Sequence, residues 1–421
     1  MHATETEKLE TREERGLKIA ALVKLHKNGS GWEVPSQNGS GVYVVDLQNG
    51  TCTCPDHTRR GVKCKHLWAV EYTITRETKR DGTTKITQTT RVTYSQEWSV
   101  YNAAQTNEGR MFGELLQSLC SGIPQPEQTF GRPRLPLSDV VFALVSKVYS
   151  TMSGRRFTSG LRDAQAAGLV TKAPHYNSAF RYLESGDLTP LLKGLIEQSA
   201  APLRVVESDF AVDSSGFSTS TYNRWFDHKW GKMRSEVKWV KAHLMCGVQT
   251  NIVTSIEVTP TESADAPFLA PLVQTTARSF PIREVSADKA YSSRKNLHAI
   301  EAVGGTPYIP FKNNTNGVGI RFDGLWNQMW HYYNFNRSAF LEHYHKRSNA
   351  ETTFSMIKGK FGTAVRAKTP TAQVNEVLCK VLAHNICVVI QSVFELGLEP
   401  VFWTFEAKEP VAPKVLANLG F

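Results

Sequence analysis

Residues 344–358 read YHKRSNAETTFSMIK, a run that places Tyr344, Arg347, Glu351 and Lys358 at gaps of two, three and six residues. At about 100° of rotation per residue in an α-helix, those four positions project to within roughly 60° of one another. Phenol, guanidinium, carboxylate and ammonium therefore share one stripe. A helix that only packs would carry apolar side chains on such a face, whereas a carboxylate flanked by cations suits a site that holds a metal and a phosphate together. A solvated face with an i, i+4 ion pair between Arg347 and Glu351 would give the same pattern. The stripe alone does not separate the two.

Two upstream segments do. In VESDFAVDSSGFS (206–218), Asp213 stands at the end of a predicted strand, just before a Ser-Ser-Gly turn. In REVSADKAYSS (283–293), Val285 begins a short apolar strand and Asp288 follows at its carboxyl end, with Ala290 and Tyr291 completing a D-x-A-Y pattern. With these segments the chain resembles the DDE transposases of insertion sequences, in the branch named for its Y-(2)-R-(3)-E-(6)-K signature, over roughly residues 131–395. The specificity lies in the three segments taken together.

The resemblance implies an α/β catalytic domain with a ribonuclease H-like mixed sheet and flanking helices. It implies that Asp213, Asp288 and Glu351 are the catalytic carboxylates. Three acids in one pocket repel each other, and two divalent ions, Mg²⁺ or Mn²⁺, relieve that repulsion and support in-line phosphoryl displacement. Tyr344, Arg347 and Lys358 are then expected on phosphates and distorted terminal nucleotides of a transposon end. Asp209 shares the strand face of Asp213 but lacks its D-S-S-G-F context, and Glu207, Asp227 and Asp265 read as surface or turn residues. Trp225, Trp230, Trp326 and Trp330 could stack on unpaired bases; burial in the core is their ordinary reading.

The seven cysteines divide into a cluster and four scattered members. Cys120, Cys246, Cys379 and Cys387 lie in apolar or helical surroundings and read as reduced core residues. Cys52, Cys54, Cys64 and His66 form C-x-C-x9-C-x-H, four ligands that can close a tetrahedral zinc site with no position left for water. A disulfide or a redox C-x-C would leave His66 unexplained, and His57 reads as a loop histidine. Before the cluster, GVYVVDLQNGTC alternates like a strand running into an Asn-Gly turn; after it, KHLWAVEYTITRE reads as a helix. This pattern resembles a SWIM zinc finger, with one structural zinc.

Around these landmarks the chain divides into a charged tail (1–30), the zinc module (31–80), a connecting region (81–130), a helical DNA-binding region (131–200), the catalytic domain (201–396) and a C-terminal tail (397–421). In the connecting region TTKITQTTRVTYS alternates like a strand and NEGRMFGELLQSLC reads as a helix. Gly131–Arg134, GRPR, could lay arginines into a minor groove or simply lead into the next helix. Residues 138–200 read as three short helices broken at Thr171–Pro174, with Arg155, Arg156, Arg162, Lys172 and Arg181 as candidate phosphate contacts.

A net charge of +10 and a pI near 9.2 favour a polyanionic partner, and 41% hydrophobic residues are ample for a buried core. No apolar run approaches the length needed to cross a bilayer, and MHATETEKLETREERG lacks the apolar segment of a signal peptide. The expectation is a cytoplasmic, nucleoid-associated protein. The resemblance implies double-stranded DNA as partner, bound by a homodimer, and a transposase that binds element ends, cleaves and joins. The alternatives are a transposase-derived DNA-binding protein without catalysis and a metal-dependent nuclease without joining.

Overall fold

The computed structural model describes residues 12–23, 25–29, 31–36, 41–73, 75–78, 84–87, 97–128, 130–131, 133–219, 239–260, 263–312, 315 and 324–403. Two compact units are present, residues 1–97 and 98–421. Trp225, Trp230, Asp227 and Arg132 lie outside the described residues, as do residues 1–11 of the amino-terminal tail and 404–421 of the carboxyl-terminal one.

The first unit holds α1 (Arg12–Leu22), β1 (His26–Asn28), β2 (Gly31–Pro35), β3 (Val42–Asp46), β4 (Thr51–Cys52), α2 (Pro55–Arg60), α3 (Lys65–Thr73), β5 (Thr75–Thr78) and β6 (Thr84–Thr87). Strands β1 to β4 form an antiparallel sheet in sequence order, with Val45 opposite both Trp32 and Cys52. The Asn-Gly turn is present: Asp46 accepts from the Gln48 and Asn49 N–H groups, and Gly50 takes φ +64. Residues read as a charged tail supply α1 and β1. Helix α1 lies so close to α3 that a Cβ on Gly16 would stand 2.4 Å from Trp68 Cβ, and Ile19, Leu25, Val34, Val45, Leu67 and Val70 form the core. The helix expected to run to residue 77 stops at Thr73, because Thr75–Thr78 pairs antiparallel with Thr84–Thr87. Four successive residues of that segment take strand geometry, to which its threonines are suited. The rest of the Thr-rich stretch lies outside the described residues.

The second unit begins with α4 (Trp98–Ser121), α5 (Leu137–Ser150), α6 (Gly154–Ala166), α7 (Tyr176–Leu183) and α8 (Leu188–Ala200). Four helices thus stand where three were expected between 138 and 200, because the last expected helix divides into α7 and α8. Thr151 ends α5 in the left-handed region at φ 57, and Ser153 caps α6 by accepting from the Arg156 N–H, so Arg155 and Arg156 open a new helix. The break at Thr171–Pro174 is pinned by buried Asp139, which accepts from the Thr171 and Lys172 N–H groups and the Thr171 hydroxyl.

A five-stranded sheet follows, made of β7 (Asp209–Ser218), β8 (Trp239–Gly247), β9 (Val253–Pro260), β10 (Glu284–Ala287) and β11 (Thr306–Tyr308), in the order β11-β10-β7-β8-β9. The hairpins β7/β8 and β8/β9 are antiparallel, while β10 and β11 run parallel to β7. Such a parallel pairing needs crossover segments, here α9 (Ala266–Thr276) and α10 (Arg294–Glu301). This is the ribonuclease H-like mixed sheet that the resemblance implied. The chain continues through α11 (Gly324–Phe335), α12 (Arg337–Tyr344), α13 (Ser348–Phe361) and α14 (Pro370–Leu396).

Glu207, read as a surface or turn residue, is buried. It accepts from the Gln249 and Thr250 N–H groups and the Thr250 hydroxyl, holding the β8/β9 turn, and a Cβ on Gly247 would meet its carboxyl carbon at 2.3 Å. Contrary to the expectation of no membrane-length run, α14 is long and apolar enough to cross a bilayer, yet 78% of its apolar window is buried within the protein. Its polar residues bind neighbouring elements: Asn375 with Thr189 and the Leu183 carbonyl, Lys380 with the Gly362 and Ala364 carbonyls, Asn385 with both backbone groups of Val253. These contacts make it the central core helix of the unit.

Candidate active site and metal centre

β7 is longer than expected. Asp213 lies in its middle, and Ser214, Ser215 and Gly216 continue the strand opposite His243, Ala242 and Lys241 instead of turning. Asp288 directly follows β10 and caps a 3₁₀ turn over Lys289–Tyr291. Because β10 pairs with β7 as Glu284 with Asp209 through Ala287 with Val212, the next step of the same register sets Asp288 beside Asp213. The parallel sheet thereby brings together two acids 75 positions apart in the chain.

The signature run is not one unbroken helix. α12 ends at Tyr344, His345–Arg347 form a 3₁₀ turn, and α13 begins at Ser348. A 3₁₀ turn eclipses positions i and i+3, so the Arg347 guanidinium still lies 6.0 Å from the Tyr344 ring centroid. Arg347 donates from Nη1 to Asp213 Oδ2 at 2.9 Å and from Nη2 to Glu351 Oε1. The i, i+4 ion pair is therefore real, but its arginine also reaches across to the strand. Lys358 Nζ donates to Ser215 Oγ at 2.6 Å, two residues along the Asp213 face of β7.

Burial raises the pKa of Asp213, and the charges of Glu351 and Asp288 push it further up; the Ser214 N–H and Arg347 act against them. The two neighbouring carboxylates thus add like-charge repulsion to the effect of burial. Arg347 supplies a positive charge to two of the three carboxylates. Burial also lowers the pKa of Lys358 and raises that of Tyr344.

A second layer of charge lies one step below, and sequence reasoning missed it. Asp209 and Glu284, each four residues before Asp213 and Asp288, are buried as a cross-strand pair. Lys346 donates to both, Arg283 binds Asp209 through Nε at 2.7 Å, and His343 Nδ1 lies 2.6 Å from Glu284 Oε2. Ser286 Oγ donates to the His343 carbonyl at 3.1 Å. The turn that carries Arg347 is thus fastened to both acid-bearing strands. The signal was in the chain, since an acid precedes each aspartate by four residues on the same strand face.

Other expected residues go elsewhere. Asp265 pairs with Lys241 and lies 3.5 Å from His243 Nδ1 on the opposite side of β7. Trp326 packs edge-on against Phe311, and Trp330 donates to the Thr315 carbonyl at 3.2 Å, which is the core reading. Arg155, Arg156, Arg162, Lys172 and Arg181 are exposed. Cys120, Cys246 and Cys379 are buried free thiols, and Cys387 is partly buried.

In the first unit, β4 delivers Cys52, Cys54 caps α2, and Cys64 and His66 open α3. Their ligand atoms lie within 4.8 Å of one another and all four residues are buried. His66 Nδ1 is 3.8 Å from Cys52 Sγ and 3.9 Å from Cys64 Sγ. A tetrahedron with Zn–S of about 2.3 Å and Zn–N of about 2.0 Å has edges of roughly 3.6 Å, so the donor set fits zinc with slight contraction. Hydrogen bonds from Cys52 and His66 pull the Cys64 thiol well below its usual pKa against the effect of burial, while the bond to Cys64 and burial push Cys52 up. His57, read as a loop histidine, instead lies within α2, and its Nδ1 is 2.9 Å from the Val62 carbonyl.

Two family models match parts of the chain. Residues 205–386 match the family model described as transposase DDE domain, and residues 43–74 match the SWIM zinc finger. Among solved structures, a cryo-EM structure of piggyBac transposase synaptic complex with hairpin DNA aligns over 69% of this chain and 73% of that chain, at 11% identity and a TM-score of 0.34. No curated protein matches the chain.

Proposed function

Since the chain carries a transposase DDE domain and a SWIM zinc finger, we propose that it is a DNA transposase that binds the ends of an insertion sequence, cleaves there and joins the freed end to target DNA. The observation that supports this most is Arg347 held between Asp213 and Glu351, with Asp288 beside Asp213 in strand register.

In this reading Asp213, Asp288 and Glu351 hold Mg²⁺ or Mn²⁺, which when bound would activate the attacking oxygen and stabilise the leaving one. Arg347 exchanges its carboxylate partners for a DNA phosphate when metal and substrate enter. Lys358 moves from a neutral hydroxyl to a phosphate oxygen at little cost, because Ser215 offers it no countercharge. Tyr344 backs the Arg347 guanidinium and faces the terminal nucleotides. The first unit binds one zinc through Cys52, Cys54, Cys64 and His66 with no open position, so this zinc supports folding and takes no part in the chemistry. Double-stranded DNA is the partner and a homodimer the acting form, in the cytoplasm at the nucleoid.

The test is an assay with labelled element ends in which cleavage and strand joining are scored separately. Cleavage with joining is expected. Cleavage alone would make the protein a nuclease, and binding without either would make it a non-catalytic DNA-binding protein.

A further inference from the structure

Away from the carboxylates, the second unit contains a cavity of about 380 Å³ between α5, the first turn of α6, the end of α7 and the segment that leads into α14. Lys147 of α5, Phe180 and Leu183 of α7, and Arg366 and Lys368 line it. The Lys147 ammonium is 5.8 Å from the Phe180 ring centroid and, among the described residues, makes no hydrogen bond or ion pair. Burial lowers its pKa; the Glu376 carboxylate acts against this, and Arg366 adds repulsion. The nearest acid, Glu376, uses Oε2 on the Arg366 and Ala367 N–H groups; Glu184 at the wall is exposed. A partly buried ammonium that no hydrogen bond satisfies gains from an anion that can accept from it.

The cavity lies at the end of the strand that carries Asp213. β7 runs on past Ser215, bound by Lys358, and past Phe217, whose ring is 5.2 Å from Lys358 Nζ and 5.4 Å from Lys380 Nζ. It ends at Ser218, which exchanges hydrogen bonds with Thr363 and Val365, and Arg366 is the next residue. Asp213 to Ser218 spans about 16 Å of strand, and a nucleic-acid strand advances about 3.4 Å per phosphate along a duplex axis. Lys380 is buried on the Gly362 and Ala364 carbonyls, so Lys358 and Arg366 are the cations that mark this path, over a length of about five nucleotides.

We propose that this cavity is a phosphate subsite for the DNA backbone, with Lys147 as its inner cation and Arg366 and Lys368 at its mouth. The inference rests on the transposase reading, which supplies the DNA. The ligand chemistry, a phosphate, could also come from a free anion, and the apolar wall of Phe180 and Leu183 would accept sugar carbons beside a backbone phosphate.

The experiment uses the full chain as wild type, Lys147→Met and Lys147→Arg. Duplex DNA binding is titrated with salt in the absence of divalent metal, and melting temperature is measured with and without millimolar inorganic phosphate. Lys147→Met should lower the log-log salt slope by about one unit, Lys147→Arg should restore it, and Lys147→Met alone should melt no lower than wild type, because it removes an unpartnered charge. A wild-type slope in Lys147→Met overturns the subsite, as does a melting temperature that falls in step with the lost binding. Phosphate that raises the melting temperature of wild type but not of Lys147→Met, with the DNA slope unchanged, would assign the cavity to a free anion and overturn the DNA subsite. A wild type that cleaves DNA while Lys147→Met binds unchanged overturns only this inference; a wild type that binds no DNA overturns the transposase reading with it.

Discussion

Arg347 donates to Asp213 at 2.9 Å across 134 positions of the chain, and the same guanidinium reaches Glu351 one turn along α13. One cation thus joins two of the three acids that the proposed mechanism assigns to metal. Arg347→Ala should bare both carboxylates and so strengthen Mn²⁺ binding to the DNA-free protein several-fold, while it weakens DNA binding. Titration of Mn²⁺ followed by electron paramagnetic resonance reads the first effect. Unchanged Mn²⁺ affinity would mean that the arginine and the metal do not share those acids.

Asp213→Asn, Asp288→Asn and Glu351→Gln should each abolish cleavage and joining, a loss of at least about a thousandfold if each removes a metal ligand. End binding without metal should persist in all three. One of these variants turning over at near wild-type rate with Mg²⁺ would strike that residue from the set.

Lys358 and Glu351 lie on one helix but should separate in salt titrations. Lys358→Ala is expected to reduce the slope of DNA binding by about one unit. Glu351→Gln should leave the slope alone and can tighten binding without metal, since it deletes a repulsion. If Lys358→Ala keeps the wild-type slope, its contact with Ser215 is structural.

Lys346 neutralises two buried acids, so Lys346→Met should destabilise the second unit by about 3–5 kcal/mol near neutral pH. Burial acts to raise the pKa of Asp209, but hydrogen bonds from Arg283 and Lys346 hold it below its ordinary value. A lowered carboxylate contributes stability above its unfolded pKa and loses it as pH falls through the folded one. The gap between wild type and Lys346→Met should accordingly narrow below about pH 4. Denaturant titrations across pH check this, and a gap that stays constant to pH 3 would remove Lys346 from the network.

The first unit should carry one zinc per chain, and Cys52→Ser or His66→Ala should unfold it while the second unit keeps its own melting transition, because a structural metal stabilises the module that encloses it. Elemental analysis of freshly purified, reduced protein that finds no zinc would refute this.

The sequence by itself determined whatever depends on near neighbours along the chain. Cys52, Cys54, Cys64 and His66 converge because fifteen residues carry the chain from the end of β4 through α2 to the start of α3. The short apolar run at Val285 marked β10, and the spacing of Tyr344, Arg347, Glu351 and Lys358 marked a shared face even though a 3₁₀ turn interrupts the helix. Tertiary structure decided the rest. Asp213 continues a strand because β8 offers nine residues of pairing partner, which outweigh the turn preference of Ser-Ser-Gly. Glu207, Asp209 and Glu284 are interior because distant N–H groups and cations satisfy them. α14 is a core helix and not a bilayer span because the helices and strands packed around it supply the apolar cover and the polar partners that its composition leaves undecided. Burial and charge pairing depend on which segments meet in space, and local periodicity carries no record of that meeting.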